Sequence, residues 1–96
     1  MGKKLNAESI RSWLRGRKGW KRQSNKLLKK FDFPSFRDSI VFVNRVATLA
    51  DKQDHHPDID IRFSTVTVTL STHDAGGITE KDLQLAEKID FATSAS

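Results

Sequence analysis

The sequence contains no cysteine and no tyrosine, and only two prolines and one methionine among its 96 residues. Without cysteine, disulfides, thiolate zinc sites, iron–sulfur clusters and a cysteine nucleophile are all excluded. Long hydrophobic runs are also missing. The longest is Ile40-Val41-Phe42-Val43, against the ~20 apolar residues a membrane-spanning helix needs. The opening Met1-Gly2-Lys3-Lys4-Leu5-Asn6 lacks the apolar stretch of a secretory leader, and position 6 lacks the Ser or Thr of a myristoylation motif. There is no zinc-finger spacing, no heptad repeat with a basic region and no aromatic RNA-binding signature. A cytoplasmic protein with neither a membrane nor a nucleic-acid partner is the expectation.

What is present is charge, unevenly placed. Seventeen Lys and Arg exceed twelve Asp and Glu, for a formal net charge of +5. Residues 1–30 hold eleven basic side chains and a single acid, Glu8, whereas residues 31–96 hold six basic and eleven acidic ones. A basic first third suits the steering of an anionic ligand, and suits a solvated surface equally well. The length fits one domain, residues 1–96. Folding a chain of this size removes only ~60–70% of its surface from water, so the core is thin and a self-associating surface would help it.

Periodicity supplies the elements. Asn6 caps a short helix through Ile10, Trp13 and Leu14 that stops at Gly16. Two short strands, Trp20–Arg22 and Leu27–Phe33, turn at Ser24-Asn25. Pro34 suits a first helical turn, and Phe36, Ile40, Val43, Ala47 and Ala50 form one stripe on the next helix. Pro57 forbids its continuation. Ile59, Ile61 and Phe63, then Val66, Val68 and Leu70, alternate with polar residues as two half-buried strands joined near Ser64-Thr65. Gly76-Gly77 breaks the chain, and Thr79 caps a last helix with Leu83, Ala86 and Ile89 inside. The order α-β-β-α-β-β-α predicts an α+β domain, a four-stranded antiparallel sheet with three helices on one face. Its open edges favour pairing between subunits.

All three histidines fall in connections, His55 and His56 after the central helix and His73 after the last strand. A terminal hairpin would return His73 toward the adjacent pair. Asp51 stands one helical turn before His55, and Asp82 in the first turn of the last helix. An imidazole both gives and takes a proton near neutral pH, so three around one hollow suit a reaction that removes one proton and delivers another. Other roles fit some of the same residues. Ser71 and Thr72 precede His73, yet no nucleophile elbow accompanies them. Three histidines with Asp51 or Asp82 resemble a zinc donor set, but adjacent histidines seldom chelate one ion together and no metal is expected. Asp82 completes a capping box with Thr79. Asp51 fits a helix-end acid, Trp20 fits core packing, and Gly76-Gly77 fits a turn before a helix.

In register, Gly19-Trp20, Phe31-Asp32-Phe33-Pro34-Ser35-Phe36, Ala50-Asp51, His55-His56-Pro57-Asp58-Ile59, Leu70-Ser71-Thr72-His73, Gly77-Ile78-Thr79, Asp82, Leu85-Ala86 and Ile89-Asp90 resemble the pterin-4a-carbinolamine dehydratase family. That family is also known as the dimerisation cofactor of a homeodomain transcription factor. The resemblance covers about residues 9–91. It implies a lyase that eliminates water from 4a-hydroxytetrahydropterin, giving quinonoid dihydropterin in tetrahydrobiopterin recycling after aromatic amino-acid hydroxylation. It implies His55 and His73 as the acid–base groups and His56 as the residue that helps bind and orient the pterin. Asp51, Asp82, Trp20, Pro57, Ser71 and Thr72 would line the site, with the pterin as substrate and no cofactor. A homodimer or homotetramer is implied, with an aromatic amino-acid hydroxylase as a pathway partner. Two departures stand out: Phe63 replaces a frequent Tyr, and Asp51 a frequent Glu. A non-catalytic dimerising coactivator or binding module of the same fold is the alternative.

Overall fold

Strand pairing follows the alternation of apolar and polar residues. The structure is a computed structural model that describes residues 3–94. In chain order it runs α1 (Ala7–Leu14), β1 (Lys21–Gln23), β2 (Lys26–Asp32), α2 (Phe36–Gln53), β3 (Asp58–Arg62), β4 (Thr65–Leu70), a 3-10 turn (His73–Ala75) and α3 (Glu80–Ser94). All pairings are antiparallel, in the order β1-β2-β4-β3, so β1 and β3 are the sheet edges. Leu27 lies opposite Leu70, Phe31 opposite Val66 and Ile59 opposite Val68. These side chains share one face, and the helices cover it. Thr65, Thr67 and Thr69 point the other way and stay half-buried. The α+β architecture is the one expected.

The helix ends show why each element starts where it does. Asn6 accepts from the Ser9 amide at 2.8 Å. The Ser35 side chain accepts from the Asp38 amide at 3.1 Å, so Ser35 is the cap of α2 and Pro34 lies before the helix, not in its first turn. Thr79 accepts from the Lys81 amide at 3.3 Å, while Asp82 reaches back to the Thr79 amide at 2.8 Å. That reciprocal pair is the predicted capping box.

Two details differ from the sequence expectation. The buried side chains of α2 are Ser39, Phe42, Val46 and Ala50, whereas Phe36 is 51% exposed and Ala47 is exposed. The stripe is thus rotated by about one residue; the Ser39 hydroxyl inside it donates to the Phe36 carbonyl (2.5 Å) and lies 3.2 Å from the Phe63 carbonyl. Phe63 is not a strand residue. It stands at the tip of the β3–β4 hairpin with φ 55° and 75% exposure.

Candidate active site around His55, Asp82 and His73

The end of α2 aims the first histidine. Asp54 adopts a left-handed conformation with φ 50°, which reverses the chain, and the His55 amide then donates to the Ala50 carbonyl at 3.1 Å. The His55 ring is carried beneath the helix end toward α3. Its Nε2 lies 2.6 Å from Asp82 Oδ1, with the His55 side chain 10% exposed and that of Asp82 fully buried. With Asp82 as the acceptor, the hydrogen of this contact is carried by Nε2. Nδ1 is left without a partner among the described residues.

Asp82 is the hub. Besides His55, it accepts at Oδ2 from the Thr79 amide (2.8 Å) and from the Thr72 hydroxyl (2.9 Å). The Thr72 and Thr79 hydroxyls are 2.8 Å apart. Since the Thr72 hydrogen goes to Asp82, Thr79 donates to Thr72. Every member of this buried network is paired, the condition under which such networks hold a fixed geometry. A second tie crosses the same gap: Gln53 Nε2 donates to the Lys81 carbonyl at 3.0 Å, joining the last turn of α2 to the first of α3.

His73 follows Thr72 in the chain, and its ring takes no part in this network. Thr72 and Gly77 pair across the intervening loop, the Thr72 amide donating to the Gly77 carbonyl at 2.8 Å. This closes the 3-10 turn that begins at His73. The His73 ring is exposed and has no hydrogen-bond partner among the described residues. It lines a hollow of about 220 Å³ together with Asn25, Lys26, Ser71, Thr72, Gly76 and Gly77. A larger hollow of about 470 Å³ between α2 and α3, at Leu49, Gln84 and Phe91, holds no histidine.

The predicted residues therefore separate into three groups. His55 and Asp82 join Thr72, the neighbour of His73, and Ser71 shares the His73 hollow. His56 and Asp51 form an exposed pair at 2.9 Å, and Pro57 follows, half-buried. Trp20 stands apart. Its ring is 5% exposed, and its Nε1 donates to Asp90 at 2.8 Å, eight residues or roughly 12 Å of helix rise beyond Asp82. It packs edge-on against Trp13 and Phe31, with centroids 6.2 and 6.3 Å away. Thr79 as a network member, Gln53, Asn25 and Lys26 were not anticipated. The capping box already tied Thr79 to Asp82 and so signalled the first of them. Among the described residues, no group of three or more His, Asp or Glu side chains is arranged to hold a metal ion, and no helix is long and apolar enough to cross a membrane.

The family model described as pterin 4 alpha carbinolamine dehydratase matches residues 3–92. A protein of Roseiflexus sp. (strain RS-1) named "Putative pterin-4-alpha-carbinolamine dehydratase" is 50% identical over 90 residues, 94% of this chain and 97% of its own. The like-named protein of Roseiflexus castenholzii is 54% identical over 86 residues, 90% of this chain and 92% of its own. Among solved structures, a transcriptional coactivator/pterin dehydratase from Brucella melitensis superposes with a TM-score of 0.87 at 31% identity, covering 92% of this chain and 96% of that one. A pterin dehydratase-like protein identified as a RuBisCO assembly factor in the alpha-carboxysome gives 0.66 at 26% identity, over 78% of this chain and 89% of that one. With a family model spanning nearly all of the sequence and relatives matched over nearly their whole length, the chain belongs to the pterin 4 alpha carbinolamine dehydratase family.

Proposed function

We propose that this protein dehydrates a 4a-hydroxytetrahydropterin to the quinonoid dihydropterin, as a lyase of tetrahydrobiopterin recycling in the cytoplasm. The observation that carries the proposal is the buried His55–Asp82 pair at 2.6 Å, hydrogen-bonded to Thr72, the residue before His73. In the reaction the N5–H bond breaks and its proton passes to a base. The electron pair forms the N5–C4a double bond, and the C4a–O bond breaks as an acid protonates the departing hydroxyl to water. His55 and His73 are the two groups suited to these transfers. Asp82 holds the His55 ring with Nε2–H toward itself and leaves Nδ1 to the substrate. His56, Pro57 and Asp51 bind at the rim, and Ser71 and Thr72 line the hollow. Trp20, carried by the family resemblance, supports the core within one copy. The pterin is the only small molecule this chemistry requires. Its 4a-hydroxyl must come from an upstream oxygenation such as aromatic amino-acid hydroxylation.

The hollow at His73 is smaller than the ~300–1,000 Å³ usual for ligand sites, so it takes one edge of the flat ring. We further propose a homo-oligomer built through the open β3 edge. Antiparallel pairing of two β3 strands about Asp60 sets Asp58 of one copy opposite Arg62 of the other at both ends, and Ile59 opposite Ile61. The exposed Ile61, Phe63 and Phe36 flank that edge and would be covered.

Stopped-flow conversion of the carbinolamine tests the reaction. His55→Ala and His73→Ala should each lower kcat by ~10²–10⁴, the usual worth of a positioned acid or base. Wild-type turnover in the double variant would overturn the assignments. No acceleration by the wild-type protein would favour the binding-module alternative.

A further inference from the structure

One lysine lines the hollow at His73, and a second lies over one of its wall residues. Lys26, the first residue of β2, lines it beside Asn25. Lys4 reaches it from the N-terminal segment, which is tied down by the Leu5 amide donating to the Ile78 carbonyl at 2.8 Å. The Lys4 side chain lies so close over Gly77 that a Cβ built there would meet its Cε at 3.0 Å, and Gly77 is part of the wall. Among the described residues neither lysine has an ion-pair partner. Of the eleven cations of the basic third, two are paired among the described residues: Arg17 with Glu87 at 3.0 Å, and Lys29 with Asp90 at 2.8 Å. No carboxylate lines the hollow, and Asp74, in the same turn as His73, is exposed and outside the wall.

The chemistry of the pterin fixes what these cations would meet. The reacting atoms are N5 and C4a, and C6 is bonded to N5. With His73 taken as the imidazole that serves N5, about 3 Å from it, the C6 substituent leaves the ring beside His73. We propose that the preferred substrate carries an anionic C6 substituent, a phosphate ester or a carboxylate, held by Lys26 and Lys4 at the mouth of the His73 hollow. This rests on the dehydratase assignment and narrows its substrate: the preferred carbinolamine is an anionic analogue of the tetrahydrobiopterin one. A neutral hydroxylated chain leaves the two exposed ammonium groups to water. An anion pairs with them, in a hollow that Asn25 also lines.

Three carbinolamines that share the ring and differ at C6 test the proposal: a neutral dihydroxypropyl chain, its phosphate ester, and a chain ending in a carboxylate. At ~0.01 M salt, wild-type kcat/KM should be about 10-fold or more higher for at least one anionic substrate, and the gap should shrink at ~0.15 M as the screening length falls from ~30 to ~8 Å. Which anion gains identifies its source. Lys4→Ala with Lys26→Ala should bring the ratio near one, and the double charge reversal to Glu should invert it. Equal kcat/KM for all three substrates with the wild-type protein overturns the proposal and leaves the dehydratase assignment standing. Calorimetric binding of the corresponding oxidised, unreactive pterins reads the same preference without turnover. A protein that turns over none of the carbinolamines, and binds the anionic pterins no tighter than the neutral one, overturns both.

Discussion

At the scale of single residues, the two predicted acids behave differently because of where they lie. Asp82 is fully buried and accepts three hydrogen bonds, from His55, Thr79 and Thr72. Replacing it by Asn turns one acceptor into a donor that faces other donors. Asp82→Asn should cost ~1–3 kcal/mol, the penalty of an unsatisfied buried group. In a domain of this size each kcal/mol is about 4–8 °C of Tm, readable by thermal circular dichroism. Turnover should fall at temperatures where the variant is folded, because the His55 ring loses its orientation. Asp51 and His56 form the opposite case, with side chains 76% and 59% exposed. Exposed pairs contribute ~0–1 kcal/mol, so His56→Ala should leave Tm within a few degrees and act on KM more than on kcat. A fall in kcat as large as that of His55→Ala would contradict the rim placement.

At the scale of elements, α2 shows what periodicity misses. The stripe Phe36, Ile40, Val43, Ala47, Ala50 has helical spacing, yet the residues inside are Ser39, Phe42, Val46 and Ala50. Both sets fit the period of the helix. The buried set includes Ser39, whose hydroxyl lies 3.2 Å from the Phe63 carbonyl at the hairpin tip. Apolarity cannot reveal such a position, because the residue is polar. Phe42 is 3% exposed and packs against Phe31 and Phe33 with centroids 4.7 and 4.9 Å away. Phe42→Ala should cost ~3–5 kcal/mol, a large share of the ~5–15 kcal/mol available to a domain. Ala47→Ser, on the exposed side, should stay within about 0.5 kcal/mol. Urea unfolding of the two variants separates the stripes directly, and a costly Ala47→Ser would restore the one expected from the sequence.

At the scale of the whole molecule, the division of charge along the chain becomes partly an internal contact. Arg17 and Lys29, from the basic third, meet Glu87 and Asp90 on α3, and their cationic ends also lie 4.7 Å from the Trp13 ring and 4.8 Å from the Phe31 ring. Trp13 and Trp20 donate to the same two acids. The first third is thus docked onto the last helix by charge and aromatic packing together. The β3 edge carries the proposed self-association. Ile61→Lys sets like charges close together across that edge and should shift the protein to monomer by light scattering, with Tm extrapolated to low concentration little changed. An unchanged mass would place any association elsewhere.

The sequence by itself determined the order of elements, the sheet and helix assignment, the capping box at Thr79 and Asp82, and the family. These depend on local patterning and on residues a few positions apart, which one chain displays in full. Only the tertiary structure decided that His55 rather than His56 faces Asp82, that Thr72 and Thr79 complete the buried network, that Trp20 serves the far end of α3, and that Lys26 lines the His73 hollow while Lys4 lies over Gly77. Each of those contacts joins positions distant in sequence or depends on a single backbone reversal, such as that at Asp54. Side-chain direction across such a reversal follows from packing and hydrogen bonding, which periodicity does not encode.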